Sequence, residues 1–279
     1  MVLKSYAKIN LTLSINNKLK SGLHNIQSIY CLIDLHDKMF LKKIKNKNFD
    51  QVSFAGPFSK DINKTNNSVK KVLKVMRKNK IIYDYYSVKV NKKIPVFAGL
   101  GGGTGNAATL FNHFAKKKFN KKIFDRITKE VGSDFRLFSY NFAFQKDLKF
   151  VVKLNKKHRF YFLLVFPKIQ SSTKSVYLRL KKYSKLKIFK KSNLHSKKDF
   201  INYLKNSKND LQSVVEKKHP IIKSLLKNIS SVKGCHLSRM TGSGSSCYGI
   251  FDNERNSKFA LRKLKNKFPN FLYFTAKSI

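Results

Sequence analysis

The sequence predicts an α+β protein of two domains. Three observations lead there. Residues 3 to 44 carry strand-like alternation, a glycine run at 99 to 103 divides a strand pattern from a helical one, and residues 235 to 276 read strand, glycine turn, strand, helix, strand.

In order along the chain, Leu3 to Lys8 and Ile9 to Ile15 read as strands, followed by a turn at Lys20-Ser21-Gly22. Ile26 to Leu35 and Lys38 to Ile44 are two further strand candidates. Asn67-Ser68 caps an amphipathic helix to about Arg77, with Val69, Val72, Leu73 and Met76 on one face. Tyr85 to Val90 alternates as a strand and leads through Ile94-Pro95 into the glycines. A helical stripe runs from Thr104 to about Lys117, and a second helix from Lys121 to Val131 precedes the turn Gly132-Ser133-Asp134. The character changes after Lys149, which predicts domains at 1–149 and 150–279. The second opens with a buried strand, Phe160 to Phe166, and a polar loop, Lys168 to Thr173. Lysine-rich helices follow through Lys227. It closes with strand Cys235 to Met240, turn Thr241 to Ser246, strand Cys247 to Phe251, helix Ser257 to Phe268 and strand Phe271 to Ala276.

Composition narrows the function. The 279 residues are 42% hydrophobic and 13% aromatic, too apolar for a disordered chain. No apolar run approaches the roughly 18 residues of a membrane span, and the N-terminus Met1-Val2-Leu3-Lys4 does not read as a signal peptide. Three cysteines, Cys31, Cys235 and Cys247, are an odd number without metal-type spacing and read as reduced thiols in a cytoplasm. The 60 Lys+Arg against 14 Asp+Glu give +46. Such charge attracts polyanions. Here the lysines are spread over the whole length, Asn, Ile and Phe are abundant and Trp is absent, so codon bias of an AT-rich genome accounts for most of it. The expectation is a general attraction for nucleotides and no specific nucleic-acid partner.

The chemistry is concentrated in Pro95-Val96-Phe97-Ala98-Gly99-Leu100-Gly101-Gly102-Gly103-Thr104-Gly105-Asn106. Four of the five residues 99 to 103 are glycine, in a chain with 12 altogether. Glycines let the backbone approach a ligand, and the following helix presents free N–H groups and a positive dipole end. Strand, loop and helix start make a phosphate site, with the Thr104 hydroxyl available to phosphate or Mg²⁺. Walker A is excluded because Asn106 and Ala107 follow Gly105. A G-x-G-x-x-A match at Gly103 to Ala108 fails as a dinucleotide fingerprint, since Asp125 lies in a helix and not at a strand end. Three further elements accompany the loop. These are the carboxylate turn at Asp134, Lys8 and Asn10 among apolar strand residues, and the glycine-hydroxyl turn Thr241-Gly242-Ser243-Gly244. Taken singly, Asp134 reads first as a capping residue, Asn67 equally well as a helix cap, and Lys8 as an exposed strand cation.

In this order and spacing the four elements resemble the GHMP kinase superfamily, and within it the 4-diphosphocytidyl-2-C-methyl-D-erythritol kinase family. The motifs that carry the resemblance are Ala7-Lys8-Ile9-Asn10-Leu11, Gly22-Leu23-His24-Asn25-Ile26, residues 95 to 108, Gly132-Ser133-Asp134 and residues 241 to 244. The resemblance implies a nucleotide domain like ribosomal protein S5 domain 2 and a C-terminal ferredoxin-like split β-α-β domain. It implies Asp134 as the catalytic carboxylate with Lys8 beside it, and ATP, with Mg²⁺ carried by the nucleotide, on Asn67, Pro95, Ala98 to Gly103, Thr104, Gly105 and Asn106. The substrate, a small cytidine-diphosphate molecule, would lie on Asn10, His24, Tyr177 and Thr241 to Gly244. No protein metal site and no membrane partner is implied, and the chain is expected to be a monomer or weak homodimer. Departures from the family pattern are Ser21 for Asp, Leu23 for Tyr, Phe97 for a small residue, Gly105 for the second serine of the loop, and Phe135-Arg136 for Val-Pro.

Overall fold

The computed structural model describes residues 1–115, 120–155 and 158–279. Its contacts divide the chain into two compact units, each discontinuous in sequence: Met1–Lys8, Leu35–Val96 and Gly101–Ser139 form one, and Ile9–Asp34, Phe97–Leu100 and Tyr140–Ile279 the other. Strands β1 (Val2–Asn10) and β3 (His24–Ile44) contribute residues to both.

In the first unit, the last part of β3 pairs antiparallel with β5 (Tyr85–Asn91), and β4 (Gln51–Ala55) lies parallel to β5. Helix α1 (Ser68–Lys78) forms because Asn67 supplies the cap. Its side chain accepts from the Lys70 N–H at 3.0 Å, a bond worth about 1 kcal/mol. Val69, Val72, Leu73, Val75 and Met76 are buried along its inner face, which packs on α2 (Gly102–Phe114) and α3 (Lys121–Val131). A 3₁₀ turn, Ser133–Phe138, follows α3.

Several boundaries differ from the sequence expectation: β1 runs on to Asn10 and the next strand begins only at Ser14, where a strand was expected over Ile9 to Ile15, and β3 and α2 differ as well. β3 is one strand of 21 residues, where two were expected. The strand runs on through His36-Asp37, between the two expected strands, because Asp37 is paired inside the unit. Helix α2 begins at Gly102, two residues before Thr104, because Gly101 takes the left-handed conformation at the N-cap (φ 70) and turns the chain into the helix early. The expected end of this helix near Lys117 lies outside the described residues.

In the second unit, β2 (Ser14–Lys18) forms an antiparallel hairpin with the start of β3, which also pairs with β6 (Phe142–Gln145), and β6 pairs with β7 (Val151–Lys153). A four-stranded antiparallel sheet has the order β11-β8-β10-β9, formed by β8 (Tyr161–Phe166), β9 (Cys235–Met240), β10 (Cys247–Phe251) and β11 (Leu272–Lys277). Helices α4 (Thr173–Leu178), α5 (Lys197–Lys205), α6 (Gln212–Lys218) and α7 (Pro220–Ser230) lie between β8 and β9, and α8 (Glu254–Lys267) between β10 and β11. This order and connectivity are those of a ferredoxin-like domain, as expected. The central strands β8 and β10 are buried on both faces, so their sequences are continuous apolar runs. Ile222, Leu225 and Ile229 of α7 and Ala260 and Leu264 of α8 cover one face. Arg239, 6% exposed, donates to the carbonyls of Leu11, Leu204 and Ser207 and so ties β9 to the segment after β1.

Gly105 shows how closely α2 is seated. A Cβ there would lie 2.9 Å from Phe138 Cε1 and 3.2 Å from Ser5 Oγ, which is buried without a hydrogen-bond partner among the described residues. The phenyl ring stands where a side chain at 105 would go. Gly105→Ala should therefore destabilise by about 1 kcal/mol, overpacking outweighing the gain in helix propensity. On a Phe138→Leu background the same substitution should become neutral or stabilising in chemical denaturation. An equal effect on both backgrounds would contradict this contact.

Candidate active site

In the first unit, the end of β1 and the 3₁₀ turn bring Lys8 and Asp134 together. Lys8 Nζ lies 3.2 Å from Asp134 Oδ2; the lysine side chain is 4% exposed and the carboxylate 46%. Gly132 (φ 133) makes the bend that precedes Asp134. Phe135 anchors the turn by packing edge-on to Phe111, at 5.6 Å between centroids, and against Phe124. The carboxylate is thus held at the surface by a buried neighbour in sequence. Asp134 is the second residue of this turn, whose N-cap is Gly132, and its carboxylate pairs with Lys8.

Gly101, Gly102, Gly103 and Thr104 open α2 beside that pair. A Cβ on Gly101 would lie 3.3 Å from Lys8 Cγ and 2.9 Å from Phe138 Cζ, so the loop backbone rests on the lysine stem. Gly103 is exposed, with Ser68 Oγ the nearest atom to a Cβ there at 3.5 Å. Helix N-terminal N–H groups, a cation and a carboxylate with solvent access are a set able to bind phosphate and accept a proton. Asn67 is the cap of α1, and its amide also donates to the carbonyls of Asn63 and Lys64. Pro95 is buried ahead of the loop. Asn106, expected among the nucleotide ligands, has its side chain in a buried network with Lys92 and Asp37. The amide is 1% exposed and does not reach the loop surface.

In the second unit the earlier part of the loop meets the glycine-hydroxyl turn. A Cβ on Gly99 (φ 75) would lie 2.5 Å from the Thr241 carbonyl oxygen and 3.0 Å from that of Gly244, so only glycine fits. The Ala98 carbonyl accepts from the Ser246 N–H, and Leu100 is buried. The Asn10 N–H donates to Thr241 Oγ1 at 3.0 Å and the Asn10 amide to Ser28 Oγ at 2.8 Å. The Asn209 amide donates to the Met240 and Gly242 carbonyls. Ser243 Oγ lies 2.9 Å from Thr173 Oγ1 and its carbonyl accepts from Ser171, which links the turn to α4. Gly242 and Gly244 carry positive φ.

One turn along α4, the Tyr177 ring lies 4.9 Å from His24, tilted by 37°. Burial, with Lys18 nearby, pulls the His24 imidazolium below its ordinary range, so the ring is neutral at neutral pH. Tyr183 comes within 6.2 Å of the same imidazole. Sequence reasoning missed Tyr183, which sits in a lysine-rich stretch without periodicity; the bond from Ser184 N–H to the Ile15 carbonyl places it there. Leu23 is 53% exposed and Phe97, at φ 55, is 57% exposed. Among the described residues no group of three or more His, Cys, Asp or Glu could hold a metal ion, and no helix is long and apolar enough to cross a membrane.

The family model for the C-terminal domain of GHMP kinases matches residues 187–270. The chain is 36% identical to the 4-diphosphocytidyl-2-C-methyl-D-erythritol kinase of Pelagibacter ubique, over 99% of this chain and 98% of that one. It is 32% identical to the protein of the same name from Anaplasma phagocytophilum, over 98% and 93% respectively. Among solved structures, that of a 4-(cytidine 5'-diphospho)-2C-methyl-D-erythritol kinase superposes with a TM-score of 0.73 at 18% identity, covering 99% of each chain.

Proposed function

The chain belongs to the 4-diphosphocytidyl-2-C-methyl-D-erythritol kinase family of GHMP kinases, and on that premise we propose that it transfers the γ-phosphoryl group of ATP to the 2-hydroxyl of 4-diphosphocytidyl-2-C-methyl-D-erythritol, in isoprenoid precursor biosynthesis by the non-mevalonate route. The observation that carries the mechanism is the Lys8–Asp134 pair, a buried cation against a carboxylate with solvent access. Phosphoryl transfer asks mainly for positioning and charge neutralisation. Asp134 accepts the proton of the acceptor hydroxyl as its oxygen bonds to the γ-phosphorus, and the bond to the β-phosphate oxygen breaks to release ADP. Lys8 orients the carboxylate and offsets charge on the transferred group. The backbone N–H groups of Gly101 to Thr104 receive the phosphates of the Mg²⁺-bound nucleotide, and the Thr104 hydroxyl is placed with them.

Tyr177 and neutral His24 form the support for the cytosine, with Tyr183 adding a third ring near a position where Leu23 offers only an aliphatic surface. The Thr241 to Gly244 turn, braced by Asn10, Asn209 and Thr173, borders the acceptor. The protein acts in the cytoplasm as a monomer or weak homodimer. Its thiols stay reduced there, and burial holds two of them protonated, pushing Cys235 up to about 12 and Cys247 higher still.

ADP release measured across an acceptor panel tests the reading. Turnover is expected with the cytidine-diphosphate methylerythritol and little with homoserine or mevalonate; the reverse order would move the chain to another branch of the family, and no ADP release with any acceptor would overturn the kinase reading.

The base pocket makes a second prediction. Stacking a base on an aromatic ring is worth about 1–3 kcal/mol. Tyr177→Ala should therefore raise the acceptor KM about tenfold or more while kcat stays within a few-fold, since the base is remote from the chemistry and contributes uniform binding. An unchanged KM would remove the cytosine from Tyr177.

A further inference from the structure

Asp37, Lys92 and Asn106 come from three elements of the first unit and are 0%, 1% and 1% exposed. Asp37 lies within β3, Lys92 directly follows β5, and Asn106 is in the early part of α2. One Asp37 oxygen, Oδ2, accepts from Lys92 Nζ and from Asn106 Nδ2 at 3.0 Å, while Asn106 Oδ1 accepts from Lys92 Nζ at 3.2 Å. The other, Oδ1, accepts from the backbone N–H groups of Lys93 at 2.7 Å and Ile94 at 2.9 Å. These partners fix the Asn106 amide in one orientation, because a flip would set its oxygen against the carboxylate.

A buried ion pair is weak evidence for stability, since desolvation offsets the attraction and a well-packed apolar pair often does as well. Burial indeed pulls the Lys92 ammonium below its ordinary range, against the pull of Asp37. Its location suggests a different purpose. Lys93 and Ile94 lead through Pro95 into the glycine loop, and Asn106 lies three residues beyond Gly103. A single carboxylate therefore holds both ends of the loop. Lys92 Nζ also lies 3.2 Å from where a Cβ of Gly102 would be, so the ammonium sits directly beneath the loop backbone.

We propose that Asp37, Lys92 and Asn106 are positioning residues that fix the spacing between the two ends of the glycine loop and so hold its N–H groups in the array that receives the nucleotide phosphates. This rests on the nucleotide-binding reading of the loop. None of the three touches the nucleotide, being buried; each acts through the backbone it holds.

The test is calorimetric titration of the full chain with Mg·ADP at fixed physiological salt, alongside thermal unfolding. Asp37→Leu/Lys92→Met replaces the pair by apolar groups and strips Lys93, Ile94 and Asn106 of their acceptor. It should fold cooperatively but bind with a Kd raised at least about tenfold, the order expected when a site is displaced by a fraction of an ångström. Asp37→Asn/Lys92→Met also removes both charges but keeps an oxygen for the two N–H groups, and should return to within about threefold of wild type. Asn106→Ala, which cuts only the tie to α2, is the second variant should the first fail to fold, and should raise Kd several-fold with the acceptor KM unchanged. Wild-type affinity in Asp37→Leu/Lys92→Met and Asn106→Ala, with only the unfolding temperature lowered, would overturn the proposal, as would equal loss in the Leu/Met and Asn/Met variants. A wild-type chain that binds no Mg·ADP would instead overturn the nucleotide reading itself, and the proposal with it.

Discussion

The ion pair between Lys8 and Asp134 is the interaction around which the first unit is arranged. A lysine side chain that is 4% exposed must be met by a counter-charge, and the 3₁₀ turn after α3 supplies it. The same turn contributes Phe138, whose ring lies against both Gly101 and Gly105. Carboxylate, lysine stem and glycine loop therefore form one packing arrangement. The left-handed Gly101 allows the loop to lie on the lysine stem, and a side chain there would strike Phe138 first. The cost of so many glycines in conformational entropy is the physical reason to look for a ligand at this place. Beneath the loop a second, fully buried pair of Lys92 and Asp37 ties together the segments on its two sides. One lysine is thus directed to the surface carboxylate and the other to the interior, and both adjoin the same run of backbone.

Much of this was legible because its causes are local. The Asn67 cap, the apolar face of α1, the uninterrupted apolar run of β8 and the strand–turn–strand–helix–strand ending follow from capping chemistry and periodicity within a few residues. The glycine loop was legible from four glycines in five residues, set between a strand pattern and a helical one. What escaped depends on distant partners. Asp37 falls between the two expected strands, and its place within one strand depends on Lys92, 55 residues away. Asn106 sits in a phosphate-binding motif yet turns inward, because the ion pair lies on that side of the helix. Tyr183 has no periodic neighbours and is placed by a backbone bond from Ser184 to Ile15. The interleaving of segments such as 9–34 and 97–100 with the C-terminal half is likewise a property of long-range contacts and leaves no mark in composition.

The charge of +46 stands apart from this architecture. Fourteen carboxylates cannot partner 60 cations, so most lysines and arginines face solvent. The pairs that do form include Lys43–Asp84 and Lys258–Glu254, exposed contacts that solvent and salt screen. Such a field hastens the arrival of anionic nucleotides in a salt-dependent manner without selecting among them. On the proposed function, selection falls to the few groups that are held in place, the loop amides, the Lys8–Asp134 pair and the rings around His24.

That Lys8 and Asp134 act as one unit is the central claim, and a double-mutant cycle on kcat tests it most directly. Lys8→Met and Asp134→Asn should each lower kcat by about 10²-fold or more, with nucleotide affinity largely retained, and the double variant should be no worse than the poorer single one, since either change disables the same pair. Losses that multiply in the double variant, or a near-wild-type kcat for Asp134→Asn, would contradict it.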